Sequence, residues 1–137
     1  MCPQFLSLHV MVVDDEPIVL KAVSELVEFL GHTVTKAQSG EEALDLLSEK
    51  RPDILLSDIR MPHMDGIRLI QEIRERDIHL PIVLMTGYAE TYNLEDTFMA
   101  GADEYLTKPF KKEELQLMLQ RAFWRRQATK RQMRSHD

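Results

Sequence analysis

Five polar side chains stand where apolar runs of this sequence stop. Asp14 and Asp15 follow Leu8 to Val13, Asp58 follows Ile54-Leu55-Leu56-Ser57, Thr86 follows Ile82 to Met85, and Lys108 follows the short run Asp103 to Thr107. If these runs are parallel strands of one sheet, the five groups meet along the edge where such sheets bind ligands. Carboxylates held close together repel one another and raise each other's pKa. A hard divalent cation relieves that repulsion, and Mg²⁺ typically takes a few carboxylates while keeping several waters. The Thr86 hydroxyl and the Lys108 ammonium are then left to hold an anion. Acids, a hydroxyl and a lysine around Mg²⁺ supply what phosphoryl transfer needs, charge neutralisation and positioning. Within the set, the adjacent pair Asp14-Asp15 suits holding a metal. Asp58 stands alone at its strand end and suits attack on phosphorus, giving an acyl phosphate.

The elements that must position these groups are written in the same chain. Leu8 to Val13, rich in β-branched and apolar residues, predicts a first strand. Pro17 suits the first turn of a helix, and Ile18, Val19, Ala22, Val23, Leu26, Val27 and Leu30 then recur at helical spacing as far as Gly31, a natural C-cap. Thr33 to Ala37 predicts a short strand, and Ser39 an N-cap with Glu42 at the capping-box position. Asp58 closes a strand buried on both faces, and Pro62, Asp65 and Gly66 turn the chain into a helix carrying Ile67, Leu69, Ile70 and Ile73. Pro81 introduces the strand that ends at Thr86-Gly87. Tyr88 to Ala100 predicts a weaker helix, Asp103 to Thr107 a last strand, and Lys112 onward a last helix that frays after about Gln127. Met61, Met64 and Met85 are expected to fill core space.

Five β-α repeats predict an α/β chain: a doubly wound, five-stranded parallel sheet with helices on both faces and right-handed crossovers, a flavodoxin-like (βα)5 fold. A (β/α) barrel would need more strands to close. The 137 residues suit one domain with one core, and 44% hydrophobic with 29% charged residues is ordinary for a globular protein. No apolar run reaches membrane-spanning length and no signal-peptide pattern opens the chain, so a cytoplasmic protein without a membrane partner is expected. Cys2 is the sole cysteine, which excludes an intrachain disulfide and argues against a structural zinc cluster. Net charge is −6, but from Lys111 onward eight Lys or Arg face three acids, about +5 there against −11 elsewhere. Such a basic stretch most simply reads as a solvated helix face.

Val12-Val13-Asp14-Asp15, Asp58 with Met61-Pro62-His63-Met64-Asp65-Gly66, Thr86-Gly87, and Lys108-Pro109-Phe110 occur in order and at matching spacing. Through them the chain resembles the receiver domain of two-component response regulators, the phosphorylatable module of bacterial chemotaxis regulators. The resemblance covers roughly residues 7–125 and leaves 126–137 as a basic C-terminal tail or the start of a linker. It implies the strand order 2-1-3-4-5. It implies that Asp58 accepts phosphate and that Asp15 and Asp58 bind Mg²⁺ by their side chains. Arg60 would add its backbone carbonyl and Asp14 would act through water. Thr86 matches the switch hydroxyl, Lys108 the phosphate-pairing residue with a cis bond to Pro109, and Tyr105 the aromatic that swings between rotamers. Arg60 and Tyr88 match the positions that gate the hydrolytic water.

The partner implied is a histidine kinase or phosphotransfer protein. Catalysis would be limited to the chain's own phosphorylation and dephosphorylation. A homodimer would form through the face made by the 88–100 helix, the last strand and the last helix. Nucleic acid would be reached only through an output domain outside this chain.

Taken singly, the residues have plainer readings. Tyr105 could be a half-buried strand aromatic and Thr86 a helix N-cap. His9, His32, His63 and His79 lack metal-ligand spacing and are expected on the surface or in loops. Two other functions fit the fold. An aspartyl-nucleophile Mg²⁺ phosphatase would want a second acid two residues after the nucleophile, where Arg60 stands. A flavin or nucleotide binder would want a Gly/Ser/Thr-rich loop after strand one, and Asp14-Asp15-Glu16 would repel its phosphate.

Overall fold

The computed structural model describes residues 5–76, 78–87 and 100–135, the last seven of these by backbone alone. The strands are β1 (His9–Val13), β2 (Thr33–Ala37), β3 (Ile54–Asp58), β4 (Ile82–Thr86) and β5 (Glu104–Thr107). The described helices are α1 (Pro17–Phe29), α2 (Gly40–Lys50), α3 (Gly66–Glu75) and α4 (Lys112–Ser135). All four strand pairings are parallel and the sheet order is β2-β1-β3-β4-β5. The helix expected over Tyr88 to Ala100 lies, but for Ala100, outside the described residues.

The burial of each strand follows its place in the sheet. Every residue of β3 and β4 is buried, as is β1 after His9, whereas the edge strands β2 and β5 are partly exposed. Central strands of a parallel sheet are covered on both faces, which is why Ile54-Leu55-Leu56 and Ile82-Val83-Leu84-Met85 read as unbroken apolar runs. Alternate residues serve opposite faces. Met11, Val13, Leu55 and Leu84 join α2 and α3 in one core layer, through Ala43, Leu47, Leu69, Ile70 and Ile73. Val10, Val12, Leu56 and Val83 join α1 and α4 in the other, through Leu20, Val23, Val27, Leu115 and Leu119.

The expected caps are in place. Pro17 opens α1, and Gly31 follows its C-cap at φ +99, a conformation that only glycine adopts without strain. Ser39 Oγ accepts from the Glu42 N–H at 3.1 Å. The expected fraying after Gln127 is not found: α4 runs unbroken to Ser135. Its last turns hold Ala128, Lys130, Arg131, Gln132, Met133 and Arg134, strong helix formers with no glycine or proline to stop them. His32 lies in the loop before β2, one of the two places expected for it, but it is buried there, accepting from the Leu8 N–H through Nδ1 at 2.9 Å, with Nε2 2.7 Å from Gln116 Oε1. It ties the entry to β1 onto α4.

The β3–α3 turn depends on Gly66. Its N–H donates to the Ile59 carbonyl at 2.7 Å, and Asp65 caps α3 by accepting from the Arg68 N–H at 2.8 Å. A Cβ on residue 66 would sit 2.6 Å from the Asp58 carbonyl oxygen and 2.9 Å from Ile59 Cα. Backbone atoms of a buried strand cannot step aside. Gly66→Ala should therefore destabilise the fold by about 3 kcal/mol despite the better helix propensity of alanine. Urea unfolding would show the loss, and a midpoint equal to or above wild type would contradict it.

Candidate functional site

The edge formed by the C-terminal ends of β1, β3, β4 and β5 is built by ladder hydrogen bonds that outlast the strands. The Asp14 N–H donates to Ala37 O, Ile59 N–H to Met85 O at 3.1 Å, and Lys108 N–H to Thr86 O at 2.8 Å. Asp14, Asp58 and Lys108 are thus carried to the edge by paired backbone. After Ile59 the chain folds back through His63, at φ +68, before Gly66 restarts it as α3.

Asp14, Asp15 and Asp58 each bring a carboxylate oxygen to within 4.8 Å of the others. Asp14 and Asp58 are buried and Asp15 half-buried. The Lys108 ammonium lies 3.4 Å from Asp14 Oδ2 and 3.7 Å from Asp58 Oδ1. Asp14 Oδ1 also accepts from the Glu16 N–H at 3.0 Å. Burial is the main cause that pushes the Asp58 carboxyl up from 3.8 to about 6; the Lys108 ammonium opposes it, the Asp14 carboxylate adds to it, and the N–H groups of Ile59 and Arg60 pull it down. Removal from water thus outranks the neighbouring acid, the cause expected from sequence.

Asp15 Oδ1 is buried with no hydrogen-bond partner among the described residues. An orphaned carboxylate oxygen beside two further acids, in an all-oxygen donor set, fits a hard divalent cation such as Mg²⁺. Asp15, Glu16, Asp58, Arg60, Met61 and Pro62 line an open depression of about 450 Å³ at this point. A second, of about 330 Å³, lies on the other side of Asp58 between Glu16, Val19, Gly87 and Lys108. Sequence spacing did not single out Glu16, Val19 or Gly87 as walls. Glu16 and Gly87 follow strand ends closely and Val19 stands in the first turn of α1, and those positions are the signal that would have found them.

The remaining sequence-derived residues divide. Thr86 is fully buried as the last residue of β4, one register step beyond the Asp58–Met85 pair. The Lys108–Pro109 bond is cis. Met61 and Met85 are buried, and Met64 packs against the core. Tyr105 is a half-buried strand residue whose hydroxyl is shielded and has no hydrogen-bond partner among the described residues; burial raises its pKa. Tyr88 lies outside the described residues. No described helix is long and apolar enough to cross a membrane.

A parallel 2-1-3-4-5 sheet with an acid cluster and a lysine at its C-terminal edge defines a class, and the chain belongs to it: residues 10–120 match the family model of the response regulator receiver domain. Among its relatives, the regulatory protein AtoC of Escherichia coli K12 is 40% identical over 83% of this chain, and the DNA-binding transcriptional regulator NtrC of the same strain is 38% identical over 82%. The matched segments are 25% and 24% of those two proteins, so the chain spans about a quarter of their length. A receiver domain protein from Clostridium thermocellum superposes with a TM-score of 0.82 at 28% identity, covering 90% of this chain and 99% of that one.

The raised Asp58 pKa sets a pH signature in metal-free protein. Below about 4 the carboxyl is protonated in both folded and unfolded chains and costs nothing. Between 3.8 and about 6 the unfolded chain ionises first, so stability falls as pH rises, and the full penalty holds above that window. Its size is on the order of 2–3 kcal/mol. In chelator, Asp58→Asn should be more stable than wild type at pH 7 and equal to it near pH 4. Urea denaturation at the two pH values checks this, and an equal gain at both would refute the assignment.

Proposed function

We propose that this chain is a phosphorylation switch: Asp58 takes a phosphoryl group from the phosphohistidine of a partner histidine kinase or phosphotransfer protein. The observation that carries the reading is the buried Asp58 carboxylate with the Lys108 ammonium 3.7 Å away and, beside it, Asp15 Oδ1 without a hydrogen-bond partner among the described residues. In the transfer, an Asp58 carboxylate oxygen bonds to phosphorus while the bond from phosphorus to the donor imidazole nitrogen breaks, its electron pair returning to the ring. Asp15 and Asp58 would hold Mg²⁺ by their side chains, Arg60 by its backbone carbonyl and Asp14 through water. Bound there, the ion offsets charge on the transferring phosphoryl oxygens. Lys108 passes from the Asp14–Asp58 pair to a phosphoryl oxygen, and the Thr86 hydroxyl takes another.

The output face is β5 with α4 and the 88–100 segment. Lys108 ends β5's path and Thr86 ends β4, so a pull on the phosphoryl group biases that side of the sheet, with Tyr105 on the route. The same face would pair two copies of the chain. In this reading the protein works in the cytoplasm and acts on no substrate but its own phosphoaspartate. Residues 126–137 begin a basic linker. The relative NtrC is named a DNA-binding transcriptional regulator, and nucleic acid would be engaged here only by an output domain beyond the chain.

Acetyl phosphate with Mg²⁺ should add one phosphoryl group to wild type, seen by intact mass, and none to Asp58→Asn. Label on another residue of wild type would refute the acceptor, and turnover of a phosphate monoester without a lasting adduct would favour the phosphatase reading. Lifetime is a separate expectation. Arg60 lines the depression beside Asp58, where its guanidinium can pair with phosphoryl oxygens, and neither Arg60 nor Tyr88 supplies a base for water. Phosphorylated wild type should decay slowly, and Arg60→Asn/Tyr88→Glu should decay roughly tenfold faster, about 1.4 kcal/mol of transition-state stabilisation. A double mutant that decays no faster would remove both residues from the gating role.

A further inference from the structure

At the edge of the sheet opposite Asp58, the ends of α2 and α3 flank a depression of about 380 Å³. That size falls within the range of small-ligand pockets, about 300–1,000 Å³. Leu44 and Leu47 of α2, with Ile78 and Leu80 ahead of β4, form its apolar floor. Arg51, which closes α2, and Arg76, which closes α3, stand exposed at its rim. Among the described residues no acid lines it.

Cations at helix ends commonly serve the end carbonyls or the negative end of the dipole. Arg74 shows such a use close by, donating to the carbonyls of Ile78, Leu80 and Gly101 at 2.9, 2.9 and 2.8 Å. Arg51 and Arg76 differ. Their side chains make no hydrogen bond or ion pair among the described residues. The acids of the surrounding elements are engaged or stand apart. Glu49 meets Lys50 at 3.9 Å, Glu72 meets Arg68 at 3.0 Å, and Asp53 accepts from the His9 N–H at 2.8 Å. Asp45 and Glu75 are exposed and do not line the depression, and Asp77 lies outside the described residues. Arg51 is also placed at a cost. Its φ is +45, in the left-handed region, and Pro52 follows it. Glycine suits such a helix end, and a residue before proline favours extended backbone. The position nonetheless carries a guanidinium.

Two guanidinium groups over a leucine floor select an anion joined to an apolar body. A guanidinium holds a carboxylate through paired N–H donors, and the floor gains by being covered from water. A bare anion would leave the leucines wet, and a neutral body would leave the arginines unused. We propose that the α2–α3 depression binds a small amphiphilic carboxylate, an acyl or aromatic acid. Arg51 and Arg76 hold its carboxylate, and its body lies against Leu44, Leu47 and Leu80. The site is separate from the acid cluster and does not rest on the phosphorylation reading.

The test is a titration of the isotope-labelled whole chain with octanoate, below its micelle range, followed by backbone amide shifts. Saturable shifts are expected, concentrated around residues 44–52 and 76–80. Octanamide keeps the chain without the charge, and acetate the charge without the chain. Each should bind at least roughly tenfold more weakly than octanoate, and Arg51→Gln/Arg76→Gln should weaken octanoate by a similar factor. Lys50→Gln removes a neighbouring charge outside the lining and should leave the affinity unchanged. Arg51→Gly separates binding from structure: affinity should fall while the melting midpoint stays at or above that of wild type. Shifts that do not saturate, or that centre on the other apolar depression, lined by Phe5, Phe29 and Leu117, overturn the proposal. So do undiminished binding by the double variant, octanamide binding as tightly as octanoate, and an equal loss in Lys50→Gln. Binding to phosphatidylglycerol vesicles without saturable octanoate shifts would give the two arginines to a membrane surface and overturn it too.

Discussion

Asp58 and Asp14 are buried side by side at the end of the sheet, and the Lys108 ammonium stands within 3.4 and 3.7 Å of their carboxylates. Buried acids of like charge are tolerated only when something compensates them, because each has given up its hydration. One ammonium cannot balance three carboxylates. Burial above all, with a smaller push from Asp14, raises the Asp58 carboxyl to about 6, and the Asp15 oxygen has no hydrogen-bond partner among the described residues. The folded chain therefore stores an electrostatic cost at this edge that a divalent cation lowers. In the proposed switch, a bound cation would free the same lysine for an incoming phosphoryl oxygen.

Holding repelling groups together requires a frame that cannot relax. Every residue of β3 and β4 is buried, and Gly66 lets the backbone of α3 touch the Asp58 carbonyl itself. Pulling Asp58 outward would break the Ile59–Met85 and Gly66–Ile59 hydrogen bonds. The rigidity of the two core layers is thus what holds an unfavourable cluster together. Interiors packed at crystal density resist such displacement.

The frame was legible because its signals are local. Apolar runs of four or five residues, ended by acids, glycine or proline, mark the strands to within a residue, and Ser39, Asp65 and Gly31 mark helix ends by their own chemistry. The acid cluster was legible because parallel strands bring their C-terminal ends to one edge. Long-range partners were not. Nothing near His32 in sequence announces Gln116, 84 residues away, or the Leu8 N–H, so the burial of this loop histidine was not legible. Gly66 read as a turn residue, although its stricter duty is to leave room for a strand that ended eight residues earlier.

The basic stretch shows how composition misleads without geometry. From Lys111 onward the excess of cations looks like a solvated or tail-like face. Yet Arg121 and Arg125 reach the buried Glu104 carboxylate at 3.2 and 3.0 Å, and Arg126 reaches Asp103 at 2.7 Å, where Arg74 of α3 also binds at 3.2 Å. Arg74 further donates to the carbonyls of Ile78, Leu80 and Gly101, so its charge is spread over the loops on either side of β4. Two buried acids at the start of β5 are answered by arginines from α4, and leaving either acid alone in the interior would be costly. The strand is four residues long and carries Lys108 just past its other end. It is therefore held by charge at both ends: by Asp14 and Asp58 acting on Lys108 at one, and by the arginines of α4 at the other. A rearrangement that draws Lys108 toward an anion acts on a strand whose opposite end is already fastened to α4. That is a mechanical link between the reactive edge and the chain's C-terminal helix.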